Sequence, residues 1–153
     1  MIKVNEKAPD FTLASDSGDN YRLSDHLGKK VLLVFYPGDN TPVCTRQLCD
    51  YRDGIESFAD LGVSVVGISS DDLESHLKFR SKHDLPFVLL SDPDLKVARL
   101  YDSKGTLGMK RSVFLVDEKG VVRYAHIESL ALFRRKAEEL LEVISALDGE
   151  AND

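Results

Sequence analysis

The chain has 153 residues, 42% of them hydrophobic and 30% charged. That length supports one domain, residues 1–153, with a full core, and that composition excludes a disordered chain. A net charge of −6, from 20 Lys and Arg against 26 Asp and Glu, argues against nucleic acid or an anionic membrane as partner.

No apolar run approaches the ~20 residues needed to span a bilayer, and no basic, apolar signal region opens the sequence. The expected compartment is therefore cytoplasmic. Two cysteines in such a chain do not read as a structural staple.

Residues 1–30 contain two short apolar pieces, 11–13 and 21–23, around the turn-rich SDSGDN. They read as a β-hairpin, followed by a loop with Asp25, His26 and Gly28. His26 has no evident partner and reads as a surface residue. The run VLLVFY at 31–36 is apolar throughout and rich in β-branched and aromatic side chains. Stopped by Pro37 and Gly38, it reads as a strand buried on both faces. Gly38, Asp39 and Asn40 make a tight turn. Thr41 before Pro42 marks a helix start, with Thr as N-cap and Pro at the first helical position.

Cys44 then falls at the third helical position. First-turn amides lack partners inside the helix and carry the positive end of its dipole, so a thiolate there is stabilised. The Thr41 hydroxyl, as a cap, would lie beside the sulfur. The competing reading is a small buried hydrophobe, since free cysteine is often buried. The Thr-Pro context favours a reactive thiol.

Cys44, Leu48, Tyr51, Ile55 and Phe58 form the apolar stripe of the following helix, which turns Cys44 inward. Cys49 lines up with Asp53, Glu56 and Asp60 on an acidic, more solvated face, where carboxylates disfavour a thiolate. Gly62 ends this helix, and VSVVGIS is a second buried strand. Asp71 and Asp72 start another helix, running to His83 with Leu73, Leu77 and Phe79 inward. LPFVLL is a strand whose Pro86 suits an end position rather than a central one. SDPD leads into a short helix at 95–101, and 102–110 reads as a flexible loop. Ser112–Val116 and 121–126 make a second hairpin around DEKG. The last helix buries Leu130, Phe133, Ala137, Leu140, Leu141, Ile144 and Leu147. Strands alternating with helices and closing on a hairpin give an α/β order with mixed strand directions.

Pro37, Thr41 and Cys44 reproduce the pattern P-x-x-x-T-x-x-C, and in it the chain resembles the peroxiredoxins. The second cysteine, five residues on, resembles the bacterioferritin comigratory protein/PrxQ branch. The likeness runs from APDFTL through LSDPD to RSVFLVDEKG. It implies a thioredoxin-like fold, a central mixed sheet flanked by helices with an added N-terminal hairpin. It also implies a catalytic arginine at Arg111, just before the late strand. From the residues alone, an arginine at a strand start reads as solvated. Gly38 and Val43 depart from the lysine and glycine frequent in the branch; neither is a catalytic group.

The activity implied is that of a thiol peroxidase acting on hydrogen peroxide and organic hydroperoxides. The Cys44 thiolate attacks one peroxide oxygen and becomes a sulfenic acid. Helix amides, the Thr41 hydroxyl and the Arg111 guanidinium stabilise charge on the departing oxygen, and Pro37 shields the sulfur. Cys49 then condenses with the sulfenic acid to form an intramolecular disulfide, which thioredoxin or a similar dithiol reduces. The likeness calls for no metal or organic cofactor, and a pair within one chain removes any need for a dimer. His26, His76, His83 and His126 are scattered without paired ligand spacing, which argues against a metal shared with the cysteines. Two alternatives are a thiol–disulfide oxidoreductase, normally C-x-x-C, and a redox sensor without turnover. Given the disulfide, geometry adds one demand. Residues five apart on a helix have Cα atoms roughly 8–9 Å apart. A disulfide needs about 4.4–6.8 Å, so the helix must unwind to about residue 50.

Overall fold

The computed structural model describes residues 2–106, 108–128 and 134–152, with main chain alone at 149–152. The strands are β1 (Thr12–Ser15), β2 (Asn20–Arg22), β3 (Lys30–Phe35), β4 (Val63–Ser69), β5 (Leu89–Ser91), β6 (Lys104–Gly105), β7 (Gly108–Met109), β8 (Ser112–Val116) and β9 (Val122–Ile127). The helices are α1 (Pro42–Asp53), α2 (Ile55–Asp60), α3 (Leu73–His83), α4 (Lys96–Leu100) and α5 (Ala137–Asn152).

Seven strands form one mixed sheet in the order β2-β1-β5-β4-β3-β8-β9. β3, β4 and β5 run parallel, while β8 and β9 continue the sheet antiparallel beside β3. The apolar run of β3 explains its place near the middle, because side chains alternate between two cores. Leu32 and Val34 join the core shared with Cys44, Leu48, Phe79 and Ile144, under α1, α3 and α5. Val31, Leu33 and Phe35 join the opposite core with Tyr101, Phe114 and the N-terminal hairpin. One close approach pins β4 to its neighbours. A Cβ on Gly67 would sit 2.7 Å from Leu89 Cδ2 and 3.2 Å from Tyr36 Cε1, so glycine alone fits.

The expected α/β order with an N-terminal hairpin is present, and five details differ. The helix after Cys44 is broken at Gly54 into α1 and α2, where Gly54 packs near Ala137 and Phe58. Leu77 is exposed and His76 is buried in its place, because His76 finds polar partners inside. β5 lies inside the sheet, since the N-terminal hairpin adds to it through β1; Pro86 precedes the paired residues. The segment at 102–110 carries a two-stranded ribbon, β6 and β7. α5 begins at Ala137, and the expected helical residues Leu130 and Phe133 lie outside the described residues. His26 stacks on Tyr21, with ring centroids 4.2 Å apart.

Candidate active site

β3 ends at Phe35, and α1 starts seven residues later at Pro42, at the same end of the sheet. The intervening loop holds Pro37, half-buried, and turns through Asn40, whose φ is +64°. Asparagine tolerates that left-handed conformation better than most residues. Thr41 occupies the N-cap position with extended dihedrals, and Pro42 is the first helical residue. The Thr41 hydroxyl differs from expectation. It donates to the Gly38 carbonyl at 3.0 Å and makes no cap bond to the helix amides. The turn at Asn40 brings that carbonyl within reach, so the hydroxyl closes the loop instead of capping the helix.

Cys44 stands in the first turn of α1, fully buried in the core beneath β3. Arg111 meets it from the far side of the strand pair. Antiparallel pairing of β3 with β8 sets Phe35 against Ser112, which brings residue 111 to the end where α1 starts. The side chain is 3% exposed, with Nη1 donating to Cys44 Sγ at 3.2 Å. The same nitrogen donates to Gln47 Oε1 at 2.7 Å. Gln47 in turn donates to the Tyr51 hydroxyl at 3.0 Å, which donates to the Arg135 carbonyl at 2.6 Å. Burial raises the Tyr51 pKa, against a smaller lowering by the Gln47 bond, so the phenol stays a donor. A chain of hydrogen bonds thus runs from α5's approach, through α1, to the guanidinium at the sulfur.

That contact bears on the two readings of Cys44. A buried guanidinium carries a large desolvation cost unless charged or strongly accepting groups face it. A neutral thiol is a weak acceptor, whereas a thiolate at that distance makes a charge-assisted bond. The arrangement can therefore hold a thiolate and direct N–H donors at charge arriving beside it.

Cys49 lies five residues on, partly exposed, and both cysteines are free thiols. α1 runs unbroken through both positions, which keeps the sulfurs apart in this state. Of the residues singled out in sequence, Cys44 and Arg111 are in contact. Pro37 and Thr41 flank the loop before the helix, and Cys49 stands away on the same helix. Gln47 had no role in the sequence reading, and Tyr51 only that of an apolar-stripe residue. A buried glutamine three residues after the cysteine, on the apolar stripe, is the signal that marks them.

A thiol opening a helix at the edge of a central parallel strand, on this mixed sheet, defines a thiol-dependent oxidoreductase of thioredoxin-like architecture. The AhpC/TSA family model matches residues 4–125, and the chain belongs to that family, the peroxiredoxins, which are peroxidases. It falls in the Bcp/PrxQ branch. It is 45% identical to the peroxiredoxin Bcp of Bacillus subtilis over 127 residues, 78% of this chain and 81% of that one. Among solved structures it resembles the peroxidoxin BcpB of Mycobacterium tuberculosis. That match has a TM-score of 0.87 at 32% identity, over 96% of this chain and 99% of the other. The bacterioferritin comigratory protein of Xanthomonas campestris matches with a TM-score of 0.81 at 29% identity, over 92% of each chain. Among the described residues, no helix is long and apolar enough to cross a membrane.

Proposed function

We propose that the chain reduces hydrogen peroxide and organic hydroperoxides through Cys44, forms a Cys44–Cys49 disulfide and is recycled by thioredoxin. The observation carrying this reading is the buried Arg111 Nη1 at 3.2 Å from Cys44 Sγ, at the first turn of a helix. The thiolate attacks the nearer peroxide oxygen, an S–O bond forms and the O–O bond breaks. The departing alkoxide or hydroxide takes a proton and leaves as alcohol or water. Arg111 and the α1 amides stabilise charge on that oxygen. Gln47 holds Arg111 in place, and Pro37 walls the loop side.

In the second half of the cycle, the Cys49 sulfur displaces hydroxide from the Cys44 sulfenic acid. The S–S bond forms, and water leaves with the thiol proton. A dithiol then exchanges with the disulfide and returns both thiols. The alkyl peroxide reduction activity of the Xanthomonas relative supports including organic hydroperoxides among the substrates. We place the enzyme in the cytoplasm as a monomer, since both cysteines of the cycle lie on one chain.

The test is peroxide consumption coupled to thioredoxin and its reductase. Cys44→Ser abolishes it. Cys49→Ser still reacts once, giving a sulfenic acid that dimedone traps, and then stops. Equal loss of the first oxidation in both variants would sink the assignment.

A further inference from the structure

Beyond the cysteine and its arginine, one buried polar cluster has no part in the chemistry above. It lies between the loop before α1, the turn before α3, and β5. His76, on α3, is fully buried. Its Nδ1 lies 2.8 Å from Asp39 Oδ2, and its Nε2 lies 2.9 Å from the Leu90 carbonyl oxygen. Asp39 also accepts from the Tyr36 hydroxyl at 2.7 Å and the Ser75 hydroxyl at 2.8 Å. The Asp39 amide donates to Asp71 Oδ2 at 2.7 Å, and the Ser69 hydroxyl donates to that same oxygen at 2.7 Å.

These contacts favour charge on both groups. The Tyr36 and Ser75 hydroxyls donate to Asp39, and its lowered pKa favours the carboxylate. Both ring nitrogens of His76 face oxygen acceptors, and a neutral imidazole has only one N–H. An imidazolium can donate on both sides, and the raised pKa favours that form. Asp39, Asp71 and His76 lie close enough together to hold a cation. Their ligand atoms, however, are aimed at donors within the cluster, so this is a hydrogen-bonded clamp and not a coordination sphere.

We propose that His76 is a positioning residue for the peroxidatic site, clamping the loop that presents Pro37 and Thr41 to Cys44, and that the clamp loosens when its ring loses a proton. The proposal deepens the peroxidase reading and rests on it. Tyr36 immediately precedes Pro37, and Asp39 stands two residues before Thr41, so both ends of the short loop are tied to one carboxylate. His76 connects that carboxylate to the Leu90 carbonyl of β5, inside the sheet. Loss of the proton leaves a bare nitrogen against an oxygen, on one side or the other.

The direction of the pH effect follows. Burial opposes charge on His76. The Asp39 bond and charge, the Leu90 carbonyl and Asp71 outweigh it and raise the pKa above the usual 6.5. Burial likewise opposes the Asp39 carboxylate. The His76, Tyr36 and Ser75 bonds outweigh it and hold Asp39 below 3.8. A raised histidine contributes fully below its unfolded value and loses that contribution as pH rises through the folded one. A lowered carboxylate contributes above its unfolded value and fails as pH falls through the folded one. The clamp is whole between the ordinary values of 3.8 and 6.5 and opens as pH rises through the raised value of His76.

The titratable groups facing the ring are Asp39 on the loop, Tyr36 at the end of β3, and Asp71 before α3. On α3 itself the exposed Asp72 caps Ser75. β5 contributes only the Leu90 carbonyl, with the Ser91 hydroxyl bonded to the Asp71 carbonyl. Tyr36 is held protonated, by burial first and then by Asp39, so it does not share the His76 transition.

Two readouts test the clamp. In the wild-type protein, ring 15N shifts of His76 should report protons on both nitrogens on the acid side of its titration, with a midpoint above 6.5. The amides of residues 38–44 should titrate with the midpoint of the ring. Single-turnover peroxide kinetics should then show an alkaline limb, a fall of about tenfold with that same midpoint, the scale of a sub-ångström misplacement. His76→Asn keeps a donor toward Asp39 but cannot titrate, so it should react more slowly overall and lose the limb. Loop amides indifferent to the ring, or an alkaline limb that survives in His76→Asn, would overturn the clamp. Should the variant not fold, the wild-type amides still decide. A wild-type protein inert to peroxide would refute the peroxidase reading instead, while the NMR titration judges the clamp independently.

Discussion

Oxidation offers the sharpest test of the cysteine pair, because the helix that carries both thiols cannot accommodate their bond. With Cα atoms roughly 8–9 Å apart on an intact helix, the pair must close by about 2–4 Å to reach disulfide geometry. The opening has a natural limit. Asp50 Oδ2 accepts from the Ala137 amide at 2.8 Å, Tyr51 reaches the Arg135 carbonyl, and Arg52 donates to the His83 carbonyl at 2.7 Å. These ties fasten the second half of α1 to α5 and to the end of α3. The first half is held by its own backbone, including Thr45 N–H to the Thr41 carbonyl at 2.9 Å, by Arg46 on the Pro42 carbonyl, and by Arg111 on Cys44 and Gln47. Surrendering the backbone bonds between residues 45 and 49, at about 0.5–1.5 kcal/mol each, costs on the order of 5 kcal/mol. Amide exchange read by mass spectrometry or NMR should therefore quicken at 45–49 by about three to four powers of ten on oxidation. Residues beyond Phe58 should change little. An oxidised protein with α1 intact, or exchange that spreads evenly through α2 and α5, would refute this account.

Two further outcomes follow from the packing. Arg111→Ala should slow single-turnover peroxide attack by about a hundredfold or more, the scale of losing one oxyanion donor; reaction at the parent rate would remove Arg111 from the site. Gly67→Ala should destabilise the fold by about 1–3 kcal/mol, because its Cβ would lie 2.7 Å from Leu89 Cδ2 in a filled core. Thermal melting checks this at roughly 2–4 °C per kcal/mol, and an unchanged melting temperature would contradict it.

The parts legible in the sequence are those whose causes are local. A run of apolar residues, a turn, a Thr-Pro cap and a cysteine are contiguous, so strand, loop and helix start could be read along the chain. Arg111 is different. Its burial is produced by the register of β8 on β3, between residues far apart in sequence, and only the family likeness pointed to it. His76 shows a second kind of failure. Periodicity scored Leu77 above a histidine for the inward face, yet the fold supplies a carboxylate 37 positions away and the histidine goes inside. Gly54 shows a third. The apolar stripe continues smoothly across it, so spacing alone joined α1 and α2, whereas the chain turns where Ala137 and Phe58 crowd the glycine.

These long-range contacts give α1 two fixed ends. Ahead of it, the loop at residues 36–41 is tied through Asp39 to Tyr36, Asp71, Ser75 and His76. Behind it, Asp50, Tyr51 and Arg52 are tied to α5 and α3. Between the two lies a stretch from Pro42 to Cys49 that holds both sulfurs and is tied outward through Arg111, to Cys44 and Gln47, and through the buried Leu48. A segment clamped at both ends can unwind without carrying the rest of the fold along, at the cost of those contacts. The slack released is also bounded, so Cys44 and Cys49 stay within one short loop at high effective concentration. This bracketing supports resolution inside a single chain, with no second subunit supplying a thiol. On the proposed cycle, the Arg111–Cys44 bond must break as the helix opens. Attack and resolution thus belong to two different conformations of one eight-residue stretch.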